Sequence, residues 1–312
     1  MLNSRLRVAA ATVTVSAGIY AALAAAMATG LLRTRRIMAA DTPAAVGLEY
    51  RSVTFPSRHH STALCGWLVK PPARADDGDN APSPRWVVMV HGFGANRTDP
   101  MAGALGLAKD LHARGYGLLM FDLRGCGESG GTAGSAGFYE HLDLLGALDF
   151  LESTGVDRSH MGVIGFSLGG AVALMACATP GVAGAVVADS AFADLWMIIR
   201  DSTPRLDRPM ALVNPGVRIL ARLLYGIDMN RVSPAQSVAS SSTPVMIIHG
   251  GSDLLVPVEH ARVLGRALRP GSGSSGGVWI VPGAAHVQSY RTSPATYVSR
   301  VTQFFEQTLS DD

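Results

Sequence analysis

The sequence contains few cysteines, and their spacing argues against two classes of small domain. Cys65, Cys126 and Cys177 are an odd set with no Cys-x-x-Cys pair. Disulfide-rich domains and structural zinc sites use paired or closely spaced cysteines. We therefore expect each of the three to be a small buried side chain. The adjacent His59 and His60 have no third ligand nearby in the sequence, so no metal site is predicted.

Charge is also scarce, because only 16% of the 312 residues are charged and the net charge is +2. Such a balance gives no reason to expect a nucleic-acid partner. Hydrophobic residues make up 48% of the chain, which excludes disorder as its main character. No repeat of 20–50 residues is present, which excludes a solenoid.

One long segment near the start lacks charge altogether. It runs from Val8 to Leu32, 25 residues with arginines before and after it. At about 1.5 Å per residue this exceeds the roughly 30 Å hydrocarbon core of a bilayer. We expect residues 1–40 to form a single-pass transmembrane anchor and linker in the cell membrane, on a side that the arginines leave open. A signal peptide cleaved near residues 26–28 or 38–40 is the alternative, and would give a secreted protein. A buried helix of the globular domain is disfavoured because the segment has no polar face.

The rest of the chain, residues 41–312, alternates short apolar runs with helical patterns. The predicted strands are Glu49–Phe55, Cys65–Lys70, Trp86–Val90, Gly117–Phe121, Met161–Ile164, Ala185–Ala188, Val245–His249 and Val278–Val281. The predicted helices are Pro100–Arg114, Tyr139–Glu152, Gly169–Ala178, Val258–Arg269 and Pro294–Leu309. This alternation is typical of an α/β domain with a mostly parallel central sheet and helices on both faces.

Three stretches interrupt the alternation. The segment at about 191–240 is too long for a simple crossover and carries apolar clusters, so we interpret it as a helical cap. Its apolar residues, including Trp196, suggest an acyl chain as ligand, and its arginines are expected to form a solvated face rather than an anion site. Ala73–Pro84 and Gly271–Gly277 are rich in loop-forming residues and predict exposed loops.

The strongest functional signal is a serine between two glycines. Gly165-Phe166-Ser167-Leu168-Gly169 matches the G-x-S-x-G pattern, directly after a predicted strand and at the start of a predicted helix. This context is that of a nucleophile elbow, in which glycines make room for a strained serine. A tight glycine-rich turn without catalysis is the alternative interpretation of the motif alone.

A nucleophilic serine needs a base and an acid. In the architecture that has a nucleophile elbow, these follow the serine in the order acid, then histidine. After Ser167, His249 ends a strand and His260 lies in a helix, whereas His286 lies in a small-residue loop after the last strand. We therefore predict His286 as the base. Asp253 follows a core strand and is the predicted acid, with Asp189 at the end of the preceding strand as its competitor. The N–H groups of Leu168 and Phe93 are the predicted oxyanion donors.

Taken together, these motifs resemble the α/β-hydrolase superfamily over about residues 48–309. The resemblance is carried by residues 91–94 (HGFG), 122–129 (DLRGCGES), 165–170 (GFSLGG), 250–253 (GGSD) and His286. The S-x-G-G ending at residues 167–170 and the pair Asp189-Ser190 resemble the branch of prolyl-oligopeptidase-like and serine-aminopeptidase-like hydrolases. Cys126 departs from the pattern, since that position often holds histidine. The resemblance implies a serine hydrolase with an α/β-hydrolase fold and a cap.

The predicted function is hydrolysis of carboxylic esters, acyl or lipid-like, through a Ser167–His286–Asp253 triad and an acyl-enzyme. A peptidase or amidase, an acyltransferase and a non-catalytic member of the fold are the alternatives. None of these needs a metal or organic cofactor. The expected partners are a small-molecule ester and, through the N-terminal segment, a membrane. The sequence leaves the oligomeric state open.

Overall fold

The computed structural model describes residues 2–32, 36–59, 61–73, 83–132, 134–202, 207–269 and 276–310. Most of the two predicted loops, together with His60 and Arg205, lies outside these residues. Residues 33–35 of the predicted N-terminal segment and residues 203–206 of the predicted cap also lie outside them.

Eight strands of the described chain form a single sheet. They are β1 (Arg51–Pro56), β2 (Ala63–Val69), β3 (Trp86–Val90), β4 (Gly117–Phe121), β5 (Met161–Phe166), β6 (Ala185–Asp189), β7 (Val245–Gly250) and β8 (Gly277–Val281). Their spatial order is β1-β2-β4-β3-β5-β6-β7-β8. Strands β1 and β2 form an antiparallel hairpin whose second strand pairs antiparallel with β4, and all later neighbours are parallel. The prediction of a mostly parallel sheet is therefore confirmed.

Helices cover both faces of this sheet. They are α1 (Leu2–Leu32), α2 (Ala104–Ala113), α3 (Glu140–Ser153), α4 (Leu168–Ala176), α5 (Leu195–Ser202), α6 (Asp207–Tyr225), α7 (Pro234–Ala239), α8 (Glu259–Ala267), α9 (Ser289–Thr292) and α10 (Pro294–Thr308). Strand β3 shows how the core divides, because side chains alternate between faces along a strand. Val88 and Val90 pack in one cluster with α3 and α4, whereas Val87 and Met89 pack in the other with α2 and α10.

The predicted helix Pro100–Arg114 begins four residues late, at Ala104. The carboxyl and carbonyl groups of Asp99 accept hydrogen bonds from the N–H groups of Ala102 and Gly103. These bonds hold residues 100–103 in turns. The helix starts where they end.

Helix α1 differs from its prediction. Ala24, Ala28 and Leu32 are buried, and the Tyr20 hydroxyl accepts a hydrogen bond from the N–H of Gly216 in α6 at 3.0 Å. The predicted single-pass transmembrane anchor is thus not supported, because one side of the helix packs on the globular domain. Among the residues described, none of the helices combines the length and the apolar character that crossing a bilayer requires.

Between β6 and β7 the chain forms α5, α6 and α7, in the segment predicted as a cap. Trp196, Met197 and Ile198 are only partly buried and pack against the main core cluster. Arg218 lies over the ring of Trp196, with 4.3 Å from its guanidinium carbon to the ring centroid. Arg200 pairs with its neighbour Asp201 at 3.1 Å. These two arginines therefore contact protein groups and not an anion site.

Candidate active site

The serine of the G-x-S-x-G motif lies on a sharp turn between β5 and α4. Ser167 has φ 53° and ψ −115°, a conformation that non-glycine residues rarely adopt. A side chain at Gly165 would overlap the carbonyl of Gly169, and one at Gly169 would overlap the carbonyl of Val90. The two glycines are thus required by close backbone approach, and they let Ser167 project from the carboxyl edge of the sheet.

Three predicted residues from three separate loops meet at this edge. His286 Nε2 lies 2.9 Å from Ser167 Oγ, and His286 Nδ1 lies 2.7 Å from Asp253 Oδ2. The acid is fully buried at its side chain, and the imidazole is about one-tenth exposed. This chain of hydrogen bonds can take a proton from the serine hydroxyl and stabilise the resulting imidazolium.

The carboxylate of Asp253 is held ionised by its surroundings. Burial alone raises the pKa of this carboxyl, but hydrogen bonds from His286 and from the N–H of Val256 lower it below its usual value. Its Oδ1 accepts hydrogen bonds from the N–H groups of Leu255 and Val256, at 2.9 and 2.8 Å. The turn after β7 therefore fixes one oxygen and leaves Oδ2 for the histidine.

The two competing histidines have other partners. His249 is fully buried, and its Nε2 donates to the carbonyl of Val256 at 2.8 Å. His260 is also buried, and its Nδ1 accepts the N–H of Ala193 at 3.0 Å. Burial lowers the pKa of both imidazoles, so they remain neutral. Neither one hydrogen-bonds Ser167.

The competing acid, Asp189, lies behind the serine rather than beside the histidine. Its backbone carbonyl accepts the N–H of Ser167 at 2.8 Å. Its side chain is fully buried and accepts hydrogen bonds from the hydroxyls of Ser190 and Ser289. Burial raises the pKa of Asp189 to about 7, although these hydroxyls and the charge of His286 oppose the rise.

The loop after β3 presents a backbone donor beside the serine. The N–H of Gly92 is bound by Asp99 Oδ2 at 3.1 Å, whereas the N–H groups of Phe93 and Leu168 have no protein acceptor within the described residues. His91 braces this loop, because its Nδ1 donates to the carbonyl of Gly92 and its Nε2 accepts the N–H of Leu123. Burial lowers the pKa of His91, which keeps the neutral form that this pair of bonds requires.

A buried ionic network beneath this loop was not predicted as part of the site. Arg97 binds the carboxylate of Asp122 at 2.9 Å and also pairs with Glu128. Arg124 donates to both oxygens of Asp143, at 2.6 and 2.9 Å. The DLRGCGES stretch signalled a structural turn, but Arg97 and Asp143 lie 25 and 19 residues from their partners and carry no local pattern.

Comparison with known proteins identifies the family of this chain. A model of the prolyl oligopeptidase family matches residues 108–312. The chain belongs to the prolyl oligopeptidase family. The match includes Ser167, Asp253 and His286 and begins after the loop that holds Phe93. Membership in this family, together with the sheet order, makes the protein a serine hydrolase of the α/β-hydrolase fold.

Individual relatives of this family member are distant. The uncharacterized protein YfhR of Salmonella typhimurium is 32% identical over 219 residues, which are 69% of this chain and 68% of that protein. An esterase of Pyrococcus furiosus superposes with a TM-score of 0.70 at 24% identity, covering 89% of this chain and 98% of that one. The acylaminoacyl peptidase of Pyrococcus horikoshii superposes with a TM-score of 0.61 at 19% identity, covering 85% and 42%. The two structures show the shared fold.

Proposed function

We propose that the protein hydrolyses carboxylic esters with an apolar acyl group, using Ser167 as nucleophile, His286 as base and Asp253 as acid. The observation that carries this proposal is the continuous hydrogen-bonded chain from Ser167 Oγ through His286 to Asp253 Oδ2. The elbow conformation of Ser167, which directs its hydroxyl out of the sheet, adds to it.

The reaction follows from these positions. Ser167 Oγ attacks the ester carbonyl carbon while His286 Nε2 takes its proton and Asp253 stabilises the imidazolium. The N–H groups of Phe93 and Leu168 donate to the oxyanion of the tetrahedral intermediate, and each such donor is typically worth about 2.7–4 kcal/mol of barrier. His286 then protonates the leaving alcohol. A water, deprotonated by the same imidazole, attacks the acyl carbon. The bond to Ser167 Oγ then breaks, the acid leaves, and His286 returns the proton to Oγ.

Exposed apolar side chains on both sides of the site support an apolar acyl group. Phe93, whose own N–H is one of the two proposed oxyanion donors, is 50% exposed, and Leu254, next to the proposed acid, is 96% exposed. Leu255 is also exposed. Apolar groups so exposed beside a nucleophile favour substrates that cover them, because burying their surface stabilises the complex.

A peptidase or amidase is the second candidate, because the matching family is one of oligopeptidases. An aminopeptidase would need a carboxylate free to bind the substrate's amine. Asp99, Asp122 and Asp189 lie at this edge, but all three are buried and bound to protein donors. This favours esters over peptides with a free amino terminus. Transfer of the acyl group to a second alcohol would use the same triad.

The test compares matched substrates on the full-length protein. We expect turnover of p-nitrophenyl esters to rise with acyl length and to exceed that of aminoacyl p-nitroanilides. Ser167→Ala, a change that removes only the nucleophilic oxygen, should abolish both turnover and fluorophosphonate labelling. Faster cleavage of the anilides would establish the peptidase instead. New esters formed with an added alcohol would reveal the acyltransferase. A folded protein that neither turns over substrate nor reacts with the probe would disprove a catalytic role.

Separately, and from the sequence alone, we propose that the N-terminal segment attaches the protein to the cell membrane. The uncharged run from Val8 to Leu32 and its flanking arginines remain the only basis of this proposal. Fractionation of cells that express the full-length chain would test it, since an anchored protein would resist extraction by high salt.

A further inference from the structure

Behind His286 lies a fully buried group of polar side chains that the proposed reaction does not use. Asp189 ends β6, Ser190 follows it, and Ser289 begins α9. All three have no exposed surface. Burying hydroxyl and carboxyl groups destabilises a fold unless they are hydrogen-bonded. The hydrogen bonds within this group therefore deserve a structural explanation.

Ser190 bridges the sheet to the histidine loop. Its Oγ donates to Asp189 Oδ1 at 3.0 Å and accepts the N–H of Val287 at 3.0 Å. Its own backbone is fixed, because its N–H donates to the carbonyl of Ile248 in β7 at 2.9 Å. Ser289 also donates to Asp189 Oδ1, at 3.0 Å, without contacting Val287. One hydroxyl of the pair therefore reaches the histidine loop and the other does not.

The residue that Ser190 holds is strained. Val287 has φ 52°, in the left-handed region that a β-branched residue avoids. Such a conformation persists only where surrounding contacts impose it. The N–H that Ser190 binds belongs to the peptide joining His286 to Val287, so the orientation of that peptide sets where the imidazole points.

We propose that Ser190 is a positioning residue for His286: its hydroxyl, oriented by Asp189, fixes the peptide between His286 and Val287 and so aims the imidazole at Ser167 and Asp253. The inference rests on the proposed function, since it assigns a role within the same site. It adds two residues, Ser190 and Asp189, that act on the histidine from behind and never touch substrate.

The experiment compares Ser190→Ala with Ser289→Ala in the full-length protein. Both changes remove one hydroxyl from the same carboxyl oxygen, but only the first breaks the bond to Val287. We expect Ser190→Ala to lower kcat by about 10- to 100-fold with little change in KM, because small misplacements of a reacting group cost about that much. Ser289→Ala should retain most of its kcat.

A spectroscopic readout separates positioning from general loss of structure. The proton between His286 Nδ1 and Asp253 should give a low-field NMR resonance, which should broaden or vanish in Ser190→Ala and persist in Ser289→Ala. Should Ser190→Ala fail to fold, Ser190→Gly removes the same hydroxyl while accepting φ 56° without strain. Equal kcat losses in the two serine variants, or an unchanged resonance in Ser190→Ala, would overturn the proposal. Because the resonance needs no substrate, it tests the positioning even if ester hydrolysis fails.

Discussion

Ser167, Ser190 and Val287 each have a positive φ although none is a glycine, and each is tied down through its N–H. The acceptors are the carbonyl of Asp189 for Ser167, the carbonyl of Ile248 for Ser190, and the hydroxyl of Ser190 for Val287. Strained residues of this kind gather where a site must be held in one geometry. The strain at this site is thus shared between Ser167, the end of β6 and the loop that carries His286.

Only part of the candidate site could be predicted from the sequence. The G-x-S-x-G pattern indicates the turn at Ser167, and chain order singles out Asp253 and His286, which the structure brings into hydrogen-bond contact. The roles of these residues stay predictions. The Asp189-Ser190 pair indicated only a family resemblance, and Val287 gave no signal. Their contact could not be predicted, because neither Ser190 nor Val287 is a residue type associated with positive φ and the two positions are 97 residues apart.

The choice between the two acids can be tested directly. Asp253→Asn should lower kcat by about 10⁴-fold, because an amide in place of the carboxylate favours the wrong imidazole tautomer. Asp189→Asn is the matched control and should stay active, since an amide oxygen can still accept from Ser190 and Ser289. Measuring kcat of both variants on a p-nitrophenyl ester decides between the two acids. The opposite ranking would show that Asp189 is the acid.

At the scale of elements, a buried ion pair connects the turn after β4 to α3. The guanidinium of Arg124 and the carboxylate of Asp143 are 9% and 0% exposed, and Arg124 also donates to the hydroxyl of Ser57 at 2.9 Å. The N–H of Arg124 is bound by the same carboxylate. The helix on one face of the sheet is therefore fixed relative to the turn that braces the oxyanion loop.

Breaking this pair should destabilise the fold strongly. Arg124→Ala leaves the Asp143 carboxylate buried without its cation, which we expect to cost about 3–5 kcal/mol in the free energy of unfolding. Arg262→Ala removes an arginine from an exposed pair with Glu259 and should cost about 0–1 kcal/mol. Urea denaturation followed by circular dichroism measures both. Similar costs for the two variants would contradict this account.

Whether a segment forms a helix or a strand was easier to predict from the sequence than the residues at which it begins and ends. The bounds of β3 and β4 match their predictions, because both are fully buried apolar runs with sharp ends. The start of α2 was missed because side-chain and backbone bonds to Asp99 keep the preceding turns out of the helix. The packing of α1 on α6 was missed because a helix of alanines without a polar face shows no preferred side.

At the scale of the whole molecule, the buried titratable groups have opposite effects on how the stability of the fold changes with pH. Burial lowers the pKa of His91, His141, His249 and His260 from the ordinary value of 6.5. The unfolded chain therefore binds more protons than the folded one just below pH 6.5, and stability falls on acidification. Asp189 acts in the other direction, since its folded pKa of about 7 exceeds its ordinary 3.8.

We therefore expect the free energy of unfolding to decrease as pH falls from 7 towards 5, because four histidines outweigh one carboxyl. In Asp189→Asn the opposing group is gone, so the decrease should be steeper than in the wild type. Denaturant titrations at several pH values measure both slopes. A shallower slope in the variant would refute the assignment of a proton to Asp189 near neutrality.

The docking of α1 on α6 has a consequence for synthesis. The bond between Tyr20 and Gly216 joins positions 196 residues apart, and the Thr29 and Tyr225 hydroxyls, 2.9 Å apart, join positions equally distant. At about 5–20 residues per second, a ribosome needs roughly 10–40 s to make the chain between them. For that interval the apolar first helix has been made and the helix on which it packs has not, so the earliest-made element must wait for its partner.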